Sequence, residues 1–259
     1  MNDRGATNSV KIIVAFTFLL MVVINVLANA LPINGQTTGQ VSNAYPNLFA
    51  PAGLTFAIWG LIYLLLAAYT IYQLGYFNGS KSDRKLLDKV GIYFSISSLA
   101  NGAWIYSWHY RLIPVSLGLM AVILCCLIYI VQLLSCELFD RRETFFVKTP
   151  FSIYLGWITV ASIANVTVLL VSIGWSRFGL SETLWTVIIL FAGCAIGISA
   201  MLKNRDSAYG AVLLWAYFGI LYRHISQNGF AAQYTLIVSV VVLCLALFLI
   251  AEMYIIKNK

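Results

Sequence analysis

The sequence predicts an all-α fold, a polytopic membrane helical bundle of about eight transmembrane helices. Composition is the first observation behind this: 61% of residues are hydrophobic and 10% charged, with a mean hydropathy of +0.88. The second is where charge is missing. The 16 Lys and Arg residues fall almost entirely between apolar runs of about twenty residues, enough to cross a hydrocarbon core of about 30 Å at about 1.5 Å per residue. The third is that the loops alternate in basic content, the pattern that fixes orientation in a bilayer.

Spans are expected, after a cytoplasmic N-terminal segment 1–10, at residues 11–31, 53–75, 88–108, 112–135, 149–174, 182–202, 208–226 and 232–255. One side collects Arg4, Lys11, Lys81, Arg84, Lys85, Lys89, Arg141, Arg142, Lys148, Lys203, Arg205, Lys257 and Lys259. The other has only Arg111, Arg177 and Arg223. This asymmetry puts both termini in the cytoplasm, requires an even number of spans, and suits a bacterial inner membrane. It also accounts for the net charge of +7 without nucleic acid; the basic loops fit anionic lipid. The alternative at the N-terminus is a cleaved signal peptide ending at Ala28-Asn29-Ala30, which would leave seven spans. The run is long for that reading, and the even count argues against it.

The first loop, PINGQTTGQVSNAYPNLFAP (residues 32–51), has no charge. Disordered loops are normally charged and poor in aromatics. With Tyr45, Phe49 and Pro51, this one reads either as a packed lid or as a segment lying among headgroups. In the second span, Phe56, Trp59 and Tyr63 repeat at i, i+3, i+7, and so do Asn101, Trp104 and Trp108 in the third; each set shares one helix face. Tyr154, Trp157, Ser162 and Asn165 form a similar stripe in the fifth span. Asn101 and Asn165 are amides in hydrocarbon, costly without a partner. Pairing between helices and contact with a ligand both satisfy them. Trp108, Trp175 and Trp185 sit near span ends, as interfacial tryptophans do.

No Asp, Glu, Lys or Arg lies near the middle of a span, and His109 and His224 lie towards the outer ends. That pattern disfavours a retinal pump, a proton-coupled carrier and a haem or metal site. The cysteines Cys125, Cys126, Cys136, Cys194 and Cys244 lack ligand spacing and read as small buried residues. Gly193 and Gly197 form a GxxxG on the sixth span, suited to close helix packing within the chain or in a homodimer.

The stretch APAGLTFAIWGLIY (residues 50–63), with Pro51, Trp59 and Tyr63, resembles the loop-to-second-helix motif of the translocator protein family, also called tryptophan-rich sensory protein or TspO/MBR. Asn101-Gly102-Ala103-Trp104 is similar to its Asn-x-x-Trp, and Pro150, Tyr154, Trp157, Ala161 and Asn165 to its fifth-helix motif. Ala50 stands where the family has a first Pro, and Gly53 where a Trp often follows. The motifs cover residues 11–174, a five-helix unit; residues 175–259 add three spans. The resemblance implies a pocket open toward loop 32–52, lined by Trp59, Tyr63, Asn101, Trp104, Tyr154, Trp157 and Asn165, with Tyr45, Phe49 and Pro51 in the lid. It implies no obligatory cofactor, and a lipophilic aromatic or tetrapyrrole-like ligand such as protoporphyrin IX. The expected role is sensor or low-throughput carrier. Alternatives are an enzyme degrading a bound tetrapyrrole, for which no acid, base or nucleophile is evident, and a secondary transporter of an unrelated neutral substrate.

Overall fold

Residues 5–76 and 83–258 are described in the computed structural model; Arg4, Lys81 and Lys259 of the charge pattern lie outside them. Among the described residues the structure is helical without strands. Eight long helices occupy the expected spans: α1 (Asn8–Ala30), α2 (Ile58–Leu74), α3 (Arg84–His109), α4 (Ile113–Ser135), α5 (Thr149–Ser172), α6 (Glu182–Asn204), α7 (Ser207–Ile225) and α8 (Thr235–Lys257).

Local chemistry sets their ends. Helix α1 stops where Leu31 precedes Pro32, which disfavours the helical conformation at Leu31 (φ −123°, ψ 84°). Gly75 closes α2 in the left-handed region (φ 92°). Pro114 opens α4, where a missing N–H leaves no bond unmade. The Ser181 side chain accepts from the Leu184 amide at the start of α6, and Asp206 accepts from Ala208 and Tyr209 at the start of α7.

Among the described residues six helical segments are long and apolar enough to cross a membrane: Asn8–Ala30, Gly53–Leu74, Ile113–Ser135, Arg141–Ser172, Glu182–Asn204 and Thr235–Lys257. Many large apolar side chains on them point outward, Phe16, Leu19, Ile250 and Met253 among them. Exposed apolar surface of that extent fits lipid, not water. The chain is an integral membrane protein. The other two expected spans, α3 and α7, form helices of 26 and 19 residues but are less apolar. They carry Ser95, Ser97, Ser98, Asn101, Ser107 and His109, and Asp206 and His224 stand at the two ends of α7; all are buried.

Two compact units form, one from the described parts of Met1–Val41 and Trp59–Leu155, the other from Ser42–Ile58 and Gly156–Lys259. In the first, α3 packs between α1 and α4. Its core is an aromatic cluster in which Tyr69 meets Phe151 edge-on (4.7 Å between centroids) and Phe94 likewise (5.4 Å), with Phe18 beyond. In the second, α8 packs on both α6 and α7. Tyr217 of α7 is buried there, donating to the Leu190 carbonyl at 2.8 Å and meeting Phe248 edge-on at 5.0 Å. The Cys194 and Cys244 thiols meet between α6 and α8 as free cysteines, a proximity that the sequence did not indicate.

The GxxxG of α6 packs inside this unit. A Cβ on Gly193 would lie 2.7 Å from the Tyr217 hydroxyl, and one on Gly197 2.5 Å from Leu213 Cδ1 and 3.0 Å from Phe248 Cε1. Only hydrogen fits at either position. Gly197→Leu is therefore expected to destabilise the protein by about 1–3 kcal/mol through overpacking, seen as a lower unfolding temperature in detergent; an unchanged midpoint would show that α6 packs otherwise.

Candidate functional site

The aromatic and amide residues expected to line a site divide between the units. Trp59, Tyr63, Asn101, Trp104 and Tyr154 belong to the first; Trp157, Asn165, Tyr45, Phe49 and Pro51 belong to the second. The i, i+3, i+7 stripe on the second span is divided too. Phe56 lies in a 3-10 turn, Gly53–Ala57, before α2 begins, because the backbone tightens there on leaving the proline-containing loop.

Within the first unit a continuous polar chain forms. Asn25 Nδ2 donates to Asn101 Oδ1 at 2.7 Å, and Asn101 Nδ2 donates to the Tyr154 hydroxyl at 3.1 Å. Tyr154 lies edge-on to Trp59 (6.1 Å, 64°), which stacks on Tyr63 (5.5 Å, 18°). Trp104 is one turn beyond Asn101 on α3 and stacks on Trp108 (5.4 Å, 23°). Trp104 Nε1 and the Tyr63 hydroxyl are buried without a hydrogen-bond partner. A buried donor left unpaired costs about 1–3 kcal/mol, and neither group has a partner among the described residues. Asn25 was missed by the sequence reading. Its signal was the one that singled out Asn101, an amide within an apolar run.

In the second unit Trp157 meets Phe56 edge-on at 5.7 Å, and Asn165 is buried. Phe49 and Pro51 are buried and Tyr45 half-buried.

Side chains at the ends of α3 and α7 bind the backbone of the first loop. Its early part docks on α3. His109 Nδ1 faces the Ile33 carbonyl at 3.1 Å and so carries the proton, leaving Nε2 to accept from the Thr38 hydroxyl at 3.1 Å. Trp108 Nε1 donates to the Thr38 carbonyl (3.1 Å), and Asn34 Nδ2 to the His109 carbonyl (3.1 Å). Trp108, expected at the lipid interface, is thus buried with a protein acceptor. The loop backbone offered its indole a carbonyl, and burial of the ring followed.

The later part docks on α7. His224 Nε2 donates to the Leu48 carbonyl at 2.9 Å, Arg223 to the Ala50 and Pro51 carbonyls at 3.3 and 3.4 Å, and Trp215 Nε1 to the Thr55 carbonyl at 3.0 Å. The Ala52 amide donates to the Gly219 carbonyl at 3.0 Å. Gly219 has no room for a Cβ, which would collide with Thr55. Snorkelling, the commoner role of a cationic side chain at a span end, is replaced here by capture of loop carbonyls: a proline-containing loop has carbonyls that no helix satisfies.

A family model of TSPO-like proteins matches residues 11–254. The chain belongs to the TSPO-like protein family. The match runs through the helices beyond residue 174 as well as those carrying the motifs. Searches among curated proteins and among solved structures found no match. Membership of the TSPO-like family suggests a membrane ligand-binding or sensor protein.

His224→Leu leaves the Leu48 carbonyl without its donor. It is expected to lower stability by about 1–3 kcal/mol and to speed amide exchange at Phe49 and Ala50, measured by hydrogen–deuterium exchange. Unaltered exchange there would show that the histidine does not hold the loop.

Proposed function

We propose that this TSPO-like protein binds a flat, lipophilic aromatic ligand of the tetrapyrrole type, as a sensor or low-throughput carrier. Trp59, Tyr63, Asn101, Trp104 and Tyr154 form its recognition surface. The observation that carries this reading is two buried donors without a partner among the described residues, the Tyr63 hydroxyl on the ring stacked with Trp59 and Trp104 Nε1 on the ring stacked with Trp108. Indole and phenol faces favour offset stacking on a conjugated plane. The two free donors suit a ligand with carboxylate or carbonyl acceptors at its rim. The Asn25–Asn101–Tyr154 chain fixes the surface before any ligand arrives, which lowers the entropic cost of binding. The distribution of basic loops supports a bacterial inner membrane with both termini cytoplasmic.

The test is titration of the detergent-solubilised protein with protoporphyrin IX, followed by tryptophan fluorescence. Saturable quenching in the micromolar range is expected. Tyr63→Phe and Trp104→Phe, which keep the rings and remove one donor each, are expected to weaken affinity by up to about tenfold, equivalent to about 1.4 kcal/mol. Linear quenching, equal in all three proteins, would mean partitioning into the micelle and would overturn the proposal.

A further inference from the structure

A cavity lies wholly within the second unit, apart from the aromatic–amide surface. Its volume is about 290 Å³, and its walls include Asn47 and Leu48 of the first loop, Trp175 and Arg177 after α5, and Glu182 and Trp185 at the start of α6. Small-molecule sites run from about 300 to 1,000 Å³, so this one suits a group of headgroup size and not a macrocycle.

The loop wall is fixed. Asn47 Oδ1 accepts from the Phe49 and Ala50 amides (3.1 and 2.9 Å), its Nδ2 donates to the Tyr45 carbonyl (2.9 Å), and the Leu48 carbonyl is held by His224. Opposite, Trp175 and Trp185 meet edge-to-face at 4.7 Å. Arg177 and the following Phe178 both adopt left-handed backbone (φ 56° and 54°), a strained state for consecutive non-glycine residues, and one that clusters at ligand sites. Phe178 is 81% exposed, an aromatic projecting from helix ends as interfacial anchors do.

The charges decide the ligand. Arg177 has one hydrogen bond, a long one from Nε to the Leu180 carbonyl (3.4 Å). Its terminal nitrogens have no protein partner among the described residues, and the Glu182 carboxylate has none either. Both line one cavity, yet they do not pair with each other. A purely anionic ligand would meet Glu182 there, and a purely cationic one would meet Arg177. We infer that this cavity binds a zwitterionic phosphate–ammonium group, of the phosphocholine or phosphoethanolamine class. The Arg177 fork takes the phosphate, as guanidinium does bidentately. The ammonium lies against the Trp175–Trp185 pair, where cation–π attraction is strongest, with Glu182 completing its neutralisation. The site stands where α5 ends and α6 begins, both parts of segments long and apolar enough to cross a membrane, which suits a lipid headgroup.

The test is isothermal titration calorimetry of the full chain in maltoside micelles. The probes are dihexanoyl phosphatidylcholine, phosphatidylethanolamine and phosphatidylglycerol, and free glycerophosphocholine. Saturable binding of the two zwitterionic lipids is expected, with phosphatidylglycerol, which lacks the ammonium, about tenfold weaker or more. Arg177→Gln and Glu182→Gln are each expected to weaken phosphatidylcholine about tenfold, while the unfolding temperature and protoporphyrin quenching stay at wild-type values. Should either variant fold poorly, Arg177→Lys keeps the charge and loses the fork, and is expected to weaken binding as well. Glycerophosphocholine binding as tightly as the lipids identifies a soluble headgroup compound as the ligand; binding of the lipids alone identifies the membrane. Equal affinity for all three lipids, no saturable binding, or unchanged affinity in both charge variants would overturn the inference. None of these outcomes depends on whether the porphyrin titration succeeds.

Discussion

Everything in this protein answers to one constraint: a polar group placed in an apolar interior must find a partner. The two least apolar long helices, α3 and α7, bring many polar groups inside, Ser97, Asn101, His109 and His224 among them, and each is packed within its own unit. Their partners define the architecture. Asn101 on α3 joins α1 through Asn25 and α5 through Tyr154. Tyr217 on α7 joins α6 through the Leu190 carbonyl. Small residues make these contacts possible, since α6 reaches Tyr217, Leu213 and Phe248 only because Gly193 and Gly197 have no side chain.

The same constraint explains the first loop. Its prolines and turns leave carbonyls that no helix uses. His109 and Trp108 at the end of α3, Arg223 and His224 at the end of α7, and Trp215 midway along α7 supply the donors. A loop without a charged residue is thereby packed through main-chain hydrogen bonds, and its rigidity is what makes Asn47 and Leu48 a usable cavity wall. Trp104 Nε1 and the Tyr63 hydroxyl are among the buried donors left without a partner among the described residues, as is the Tyr69 hydroxyl in the aromatic core.

The two sites differ in chemistry. The aromatic–amide surface of the first unit is neutral, with stacked rings and buried donors. The cavity of the second unit is small and carries both signs of charge at the helix ends.

By itself the sequence determined the helices and their limits. Apolar run length sets which segments cross the membrane, and Pro32, Gly75, Pro114, Ser181 and Asp206 punctuate them by local rules that need no tertiary contact. It also singled out Asn101 and Tyr154, because polar residues at a 3.6 period in an apolar run are visible in one dimension. What it could not supply was pairing. The partners of Asn101 lie 76 and 53 residues away, and His224 meets Leu48 across 176. Only the packed chain decides which donor reaches which acceptor. For that reason Asn25 passed unnoticed and Trp108 read as an interfacial residue. The cavity beside Arg177 and Glu182 was likewise invisible, since a void is a property of how helices and loop meet and not of any one of them.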